Sequence, residues 1–166
     1  MDRDTKLGSA RKNTAFAWCL TFIAALALLP RASAQGDVAV IVNLQNPVAS
    51  VSLVDLRKIF AGDKRTWPGG LSIKLIVRTP GCNERLTMLK LLKMSESEYK
   101  SHWTAEVFRG EADSEPISVP SVGMQREAIV AFPGSITLVE AKSVKPGMKV
   151  IKLDGLLPGV PGYPLQ

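Results

Sequence analysis

The stretch that most restricts the fold is residues 71–92, LSIKLIVRTPGCNERLTMLKLL, where the apolar period changes from two to 3.6 within a few residues. Ile73, Leu75 and Val77 alternate with Ser72, Lys74 and Ile76 and end at Arg78, as in a strand. Pro80 and Gly81 supply a turn. Asn83 is the expected N-cap with Glu84 in the first turn. Leu86, Leu89 and Leu92, backed by Met88, form the apolar stripe of a helix. A strand that enters a helix through a tight turn aims several unpaired backbone N–H groups at one point, where the helix dipole also favours negative charge. Arg78 adds a planar, permanently charged donor fork suited to oxyanions. The turn is therefore expected to be an anion site.

The 166-residue chain opens with a segment of a different kind. Arg3, Lys6, Arg11 and Lys12 precede an almost entirely apolar run over 14–29; Pro30 breaks it, and Ala32-Ser33-Ala34 gives the small-x-small pattern of a signal-peptidase site. We expect residues 1–34 to be a signal peptide, which places the mature protein in the periplasm or outside the cell. The apolar run has 16 residues, short of the ~20 needed to span a membrane, so no transmembrane segment should remain after cleavage. An uncleaved N-terminal anchor is the alternative.

Removing the leader changes the charge argument. The whole chain has 21 Lys and Arg against 15 Asp and Glu; five of the former and two of the latter lie in the leader, leaving 16 against 13. That modest excess is scattered, with no basic run interleaved with aromatics, so nucleic acid is not an expected partner. About 132 mature residues suit one domain with a real core. Of the two cysteines only Cys82 survives processing, so no internal disulfide is available. His102 is the only histidine, which leaves no metal-ligand cluster and no His-dependent triad. It reads as a surface or packing residue.

Along the mature chain, residues 37–43, DVAVIVN, form a continuous apolar run like a buried strand of a parallel sheet. Asn43 and Asn46 are turn formers first. Ser52-x-x-Asp55 opens a helix burying Leu53, Leu56, Ile59 and Phe60 and stopping at Gly62. Trp67, in the turn-rich KRTWPGG, is expected to pack over the core edge. Ser95-x-x-Glu98 opens a helix over 96–108 expected to bury Tyr99, Trp103, Val107 and Phe108. Ser121 caps another, with Met124, Ala128, Ile129 and Phe132 inward. Strands are predicted at 116–119, 135–139 and 148–153, and the Pro/Gly-rich tail, 155–166, should be loosely ordered. Strands alternating with helices predict an α/β sandwich with a mostly parallel sheet.

In order, the chain carries IVNLQNP, SLVDLRKIFAGDKRTWPGG, a strand ending in arginine, an aromatic helix with VFRG, and AFPGSITLV. Over residues 38–139 this order resembles the periplasmic phosphate-binding (substrate-binding) proteins of ABC transporters, and in particular their short single-domain relatives. The resemblance implies that 35–154 is a single lobe like a type II periplasmic-binding-protein domain, an α/β fold with helices flanking the sheet. It implies a ligand, phosphate or a similar small oxyanion, and as partner an ABC permease or another envelope protein. It implies neither cofactor nor metal, and no enzymatic activity.

In that family the ligand turn reads Arg-x-Asp-Gly-Ser-Gly-Thr; here it is Arg78-Thr79-Pro80-Gly81-Cys82-Asn83-Glu84. Arg78 and Gly81 match. Pro80 stands for the carboxylate, Cys82 for the serine, and Glu84 for the threonine, which sets a negative charge beside any anion. The family's PGAIGY is here Pro133-Gly134-Ser135-Ile136-Thr137-Leu138, without the second glycine and the tyrosine. The candidate anion-binding residues are Arg78, Thr79, Gly81, Cys82, Asn83 and Arg85, with Thr79 or Arg85 able to compensate for the lost donors. The alternative is an exported adaptor that keeps the fold, has lost the anion and binds another protein. A thiol enzyme acting through Cys82 is the poorest option, because no base lies nearby in sequence.

Overall fold

The computed structural model describes residues 36–166; the expected signal peptide, 1–34, lies outside the described residues. The elements are β1 (Val38–Asn43), β2 (Ser50–Val51), α1 (Leu53–Ala61), β3 (Lys74–Arg78), α2 (Asn83–Leu92), α3 (Glu96–Phe108), β4 (Ile117–Val119), α4 (Val122–Ala131), β5 (Ser135–Glu140) and β6 (Met148–Leu153), with a 3-10 turn at Ala141–Ser143. Together they make a mixed α/β domain: among the described residues one six-stranded sheet, in the order β2-β6-β1-β5-β3-β4, is flanked by four helices. None of these helices is long and apolar enough to cross a membrane.

Three of the five strand pairings are parallel: β2 with β6, β3 with β5 and β3 with β4. The remaining two both involve β1, which runs antiparallel to β5 and to β6. The reading of 37–43 as a parallel strand is corrected here. Its unbroken apolar run has another cause: β1 is covered on both faces. Val38, Val40 and Val42 point into the larger core with Leu56, Phe60, Met88 and Trp103, and Ala39 and Ile41 into a smaller one with Ile76, Ile129 and Val139. Helices α1 to α3 therefore cover one face and α4 the other.

Local chemistry fixes the helix starts. Ser52, Ser95 and Ser121 each accept the N3 backbone N–H of their helix through the side-chain hydroxyl, a contact typically contributing ~1 kcal/mol. At α3 the box is reciprocal: the Ser95 N–H donates to Glu98 at 2.7 Å. That bond, with the Ser95 hydroxyl, holds the Glu98 carboxyl below its usual range. Gly62 ends α1 at φ +86, and a Cβ there would lie 2.9 Å from the Trp103 ring. His102 is a packing residue, its Nε2 2.7 Å from the Ala61 carbonyl.

Several inward faces differ from expectation. Phe108 is 91 % exposed, because five residues at about 100° each put it roughly 140° around the helix from buried Trp103. Leu86 is exposed because α2 buries the rows Glu84–Met88–Leu91 and Arg85–Leu89–Leu92 instead. On α4 the inward pair is Gln125 and Ile129, and Met124 and Phe132 are exposed. Gln125 is held in the core by bonds from Nε2 to Thr137 Oγ1 and the Leu138 carbonyl, both 2.9 Å.

The tail is also corrected. It is not loosely ordered: Tyr163 and Leu165 are buried, and they strap the start of β1. Val38 N–H donates to the Leu165 carbonyl and Tyr163 OH to the Val38 carbonyl, both at 2.8 Å. Proline and glycine set the turns of this segment, and its two large apolar residues give it a reason to dock.

Candidate functional site

The turn after β3 is built by the sheet edge. Arg78 pairs with Val119 of β4, and the Thr79 N–H continues the ladder to the Val119 carbonyl at 3.2 Å. Gly81 then takes φ +92, a conformation favouring glycine. The N-cap of α2 is Cys82, one residue before the expected Asn83, and its side chain makes no capping bond. The first intrahelical bond runs from Leu86 N–H to the Cys82 carbonyl at 3.0 Å. The N3 amide, that of Arg85, thus lacks the hydroxyl acceptor that serine gives the other three helices.

Arg78 is partly buried, and its guanidinium faces Cys82. Nη2 donates to Cys82 Sγ at 3.3 Å, while Nε and Nη1 are buried and make no hydrogen bond among the described residues. A buried donor without an acceptor costs on the order of 1–3 kcal/mol, more when charged. No ion pair joins Arg78 to Glu84, which is itself 6 % exposed. A small oxyanion is the chemistry that would satisfy such a fork beside a helix start.

Arg85 is directed elsewhere. Its Nε and Nη2 donate to the two Glu96 carboxylate oxygens at 3.0 and 2.5 Å, and its guanidinium carbon lies 4.2 Å from the centroid of the Tyr99 ring. Burial pushes the Tyr99 hydroxyl up to about 12, with neighbouring Arg85 opposing. Arg85 therefore ties α2 to α3. The structure brings Arg78, Thr79, Gly81, Cys82 and Asn83 into one corner and turns Arg85 away from it. Its partner Glu96 sits eleven residues downstream, across a helix boundary, and nothing in the sequence marked that pairing.

Asn43 and Asn46 are turn formers as expected. Asn43 Nδ2 donates to the Ile129 and Val130 carbonyls at the end of α4 (2.7 and 3.1 Å), and Asn46 Oδ1 accepts the Val48 N–H at 3.0 Å. Among the described residues no group of three or more His, Cys, Asp or Glu could hold a metal. Two grooves of about 510 and 480 Å³ are lined by other residues.

No protein-family model and no curated protein matches the chain. Solved structures do. An ABC-type phosphate transport receptor from Vibrio cholerae superposes with a TM-score of 0.60 at 19% identity, covering 74% of this chain and 48% of that one. A putative phosphate ABC transporter substrate-binding protein with bound phosphate from Clostridium perfringens gives 0.60 at 17% identity, covering 74% and 47%. A phosphate-binding protein from Stenotrophomonas maltophilia gives 0.51 at 18%, covering 74% and 40%. The chain thus has the fold of phosphate-transporter substrate-binding proteins and spans about half or less of their length.

Proposed function

We propose that the turn joining β3 to α2 binds phosphate or a similar small oxyanion, in an exported protein working with ABC-type phosphate transport. The observation carrying this reading is the Arg78 guanidinium, with two buried nitrogens lacking an acceptor and no carboxylate paired to it among the described residues. Thr79, Gly81, Cys82 and Asn83 complete the corner, with Arg85 serving as its structural brace. Export rests on the leader pattern of residues 1–34. The solved neighbours are named for phosphate transport or phosphate binding, and this supports an oxyanion ligand and a binding role without catalysis. The test is thermal unfolding in graded phosphate. A ligand that binds only the native state raises the midpoint by mass action, and we expect such a rise for the parent and none for Arg78→Ala.

A second reading is an exported adaptor that keeps the fold and binds another protein; Phe108, 91 % exposed at the end of α3, is the large apolar side chain such a partner could cover. An unchanged midpoint in phosphate would favour it.

A further inference from the structure

The groove of about 480 Å³ lies at the other end of β3, where Lys74 rather than Arg78 stands, roughly 13 Å away at about 3.3 Å per residue. Its size falls in the range of small-ligand sites, about 300–1,000 Å³. The floor is apolar, formed by Ile59, Leu75 and Trp103, all buried. Six charged residues of both signs line it, and three of them are already engaged. Lys64 pairs with Asp55 at 3.3 Å, Arg65 with Glu106 at 2.8 Å, and Glu115 accepts from Thr104 at 3.2 Å.

Three are not engaged. The side chains of Lys74, on β3, and of Glu111 and Asp113, on the loop after α3, line the groove and make no hydrogen bond or ion pair among the described residues. A single exposed charge without a partner is ordinary, since surface pairs contribute little. Here opposite charges from two separate elements face one apolar-floored space and do not meet each other.

We propose that this groove binds a small zwitterion with an apolar or aromatic body, of the size of an aromatic amino acid or a short peptide. Its carboxylate meets Lys74, its ammonium meets Glu111 and Asp113, and its side chain lies on Trp103. A neutral apolar molecule would leave both charges unanswered, and an anion alone would be repelled by the acidic loop. The site is separate from the oxyanion corner and does not depend on it.

The test is titration of ¹⁵N-labelled protein with L-phenylalanine and with L-leucyl-L-phenylalanine, up to about 10 mM, following the Trp103 indole N–H and the Lys74 and Asp113 amides. N-acetyl-L-phenylalanine amide, without charges, is the control. We expect saturable shifts with at least one zwitterion, binding at least tenfold weaker for the control, and a similar loss in Lys74→Glu and in Glu111→Gln/Asp113→Asn. Which zwitterion binds tells free amino acid from peptide. The proposal is overturned if neither gives a saturable shift, if the uncharged control binds as well, or if the charge variants bind like the parent.

Discussion

Trp67 Nε1 donates to the carbonyl of Gly134 at 2.9 Å, joining two loops 67 residues apart. Both partners belong to the most distinctive stretches of the sequence, KRTWPGG and AFPG, and Trp67 is 3 % exposed. Gly134 has no room for a side chain: a Cβ there would lie 1.9 Å from the Ser72 carbonyl oxygen. These glycine and tryptophan positions are thus explained by close packing at the N-terminal end of β3, without reference to a ligand.

It follows that Gly134→Ala should destabilise the fold by about 2–3 kcal/mol, because backbone rather than a flexible side chain must move. Trp67→Phe should cost on the order of 1 kcal/mol, because the Gly134 carbonyl loses the indole donor and keeps only the Lys74 N–H at 3.1 Å. Urea denaturation checks both; a Gly134→Ala midpoint equal to the parent's would show that the loop relaxes freely.

The chain has two tyrosines, and the structure buries both. Burial pushes Tyr99 and Tyr163 each up to about 12 from 10.0. The raised folded-state value means the native protein holds protons that the unfolded chain has released above pH 10. Stability should therefore be unaffected by these groups below pH 10 and fall as pH rises from 10 to 12. Alkaline titration should show tyrosinate absorbance appearing together with unfolding. Tyr163→Phe should flatten that loss while weakening the strap on Val38; tyrosinate forming at pH 10 in the folded protein would contradict the burial.

Arg78 and Arg85 should behave oppositely. Arg85→Met removes a bidentate pair to Glu96 and a cation over Tyr99, and should cost about 2 kcal/mol. Arg78→Met removes two donors that lack acceptors, and should leave the melting temperature unchanged or raise it. Calorimetry of the two variants decides this; equal losses would mean that Arg78 is a structural arginine.

How much of this was legible depends on range. The strand-turn-helix around Arg78, the serine caps and the α/β class follow from local periodicity and side-chain chemistry, and the sequence carries those openly. Three things were not local. The antiparallel course of β1 was hidden because burial on both faces produces the same apolar run in either direction. Phe108 and Leu86 were misplaced because an apolar residue within a helix does not by itself say which way its row faces. The docking of Tyr163 and Leu165 depends on β1, more than a hundred residues earlier, and composition gave no sign of it. Within the candidate corner, Arg78 and Gly81 were readable from the turn, whereas the diversion of Arg85 to Glu96 needed the packing of α2 on α3.

The central claim is that the Arg78 fork binds a small oxyanion, and isothermal titration with phosphate and sulfate tests it most directly. The account predicts saturable heat with at least one of them for the parent protein. It also predicts at least tenfold weaker binding in Arg78→Ala, with that variant's melting temperature in the absence of anion unchanged. Absence of binding in the parent, or an Arg78→Ala variant that binds as tightly, would contradict it.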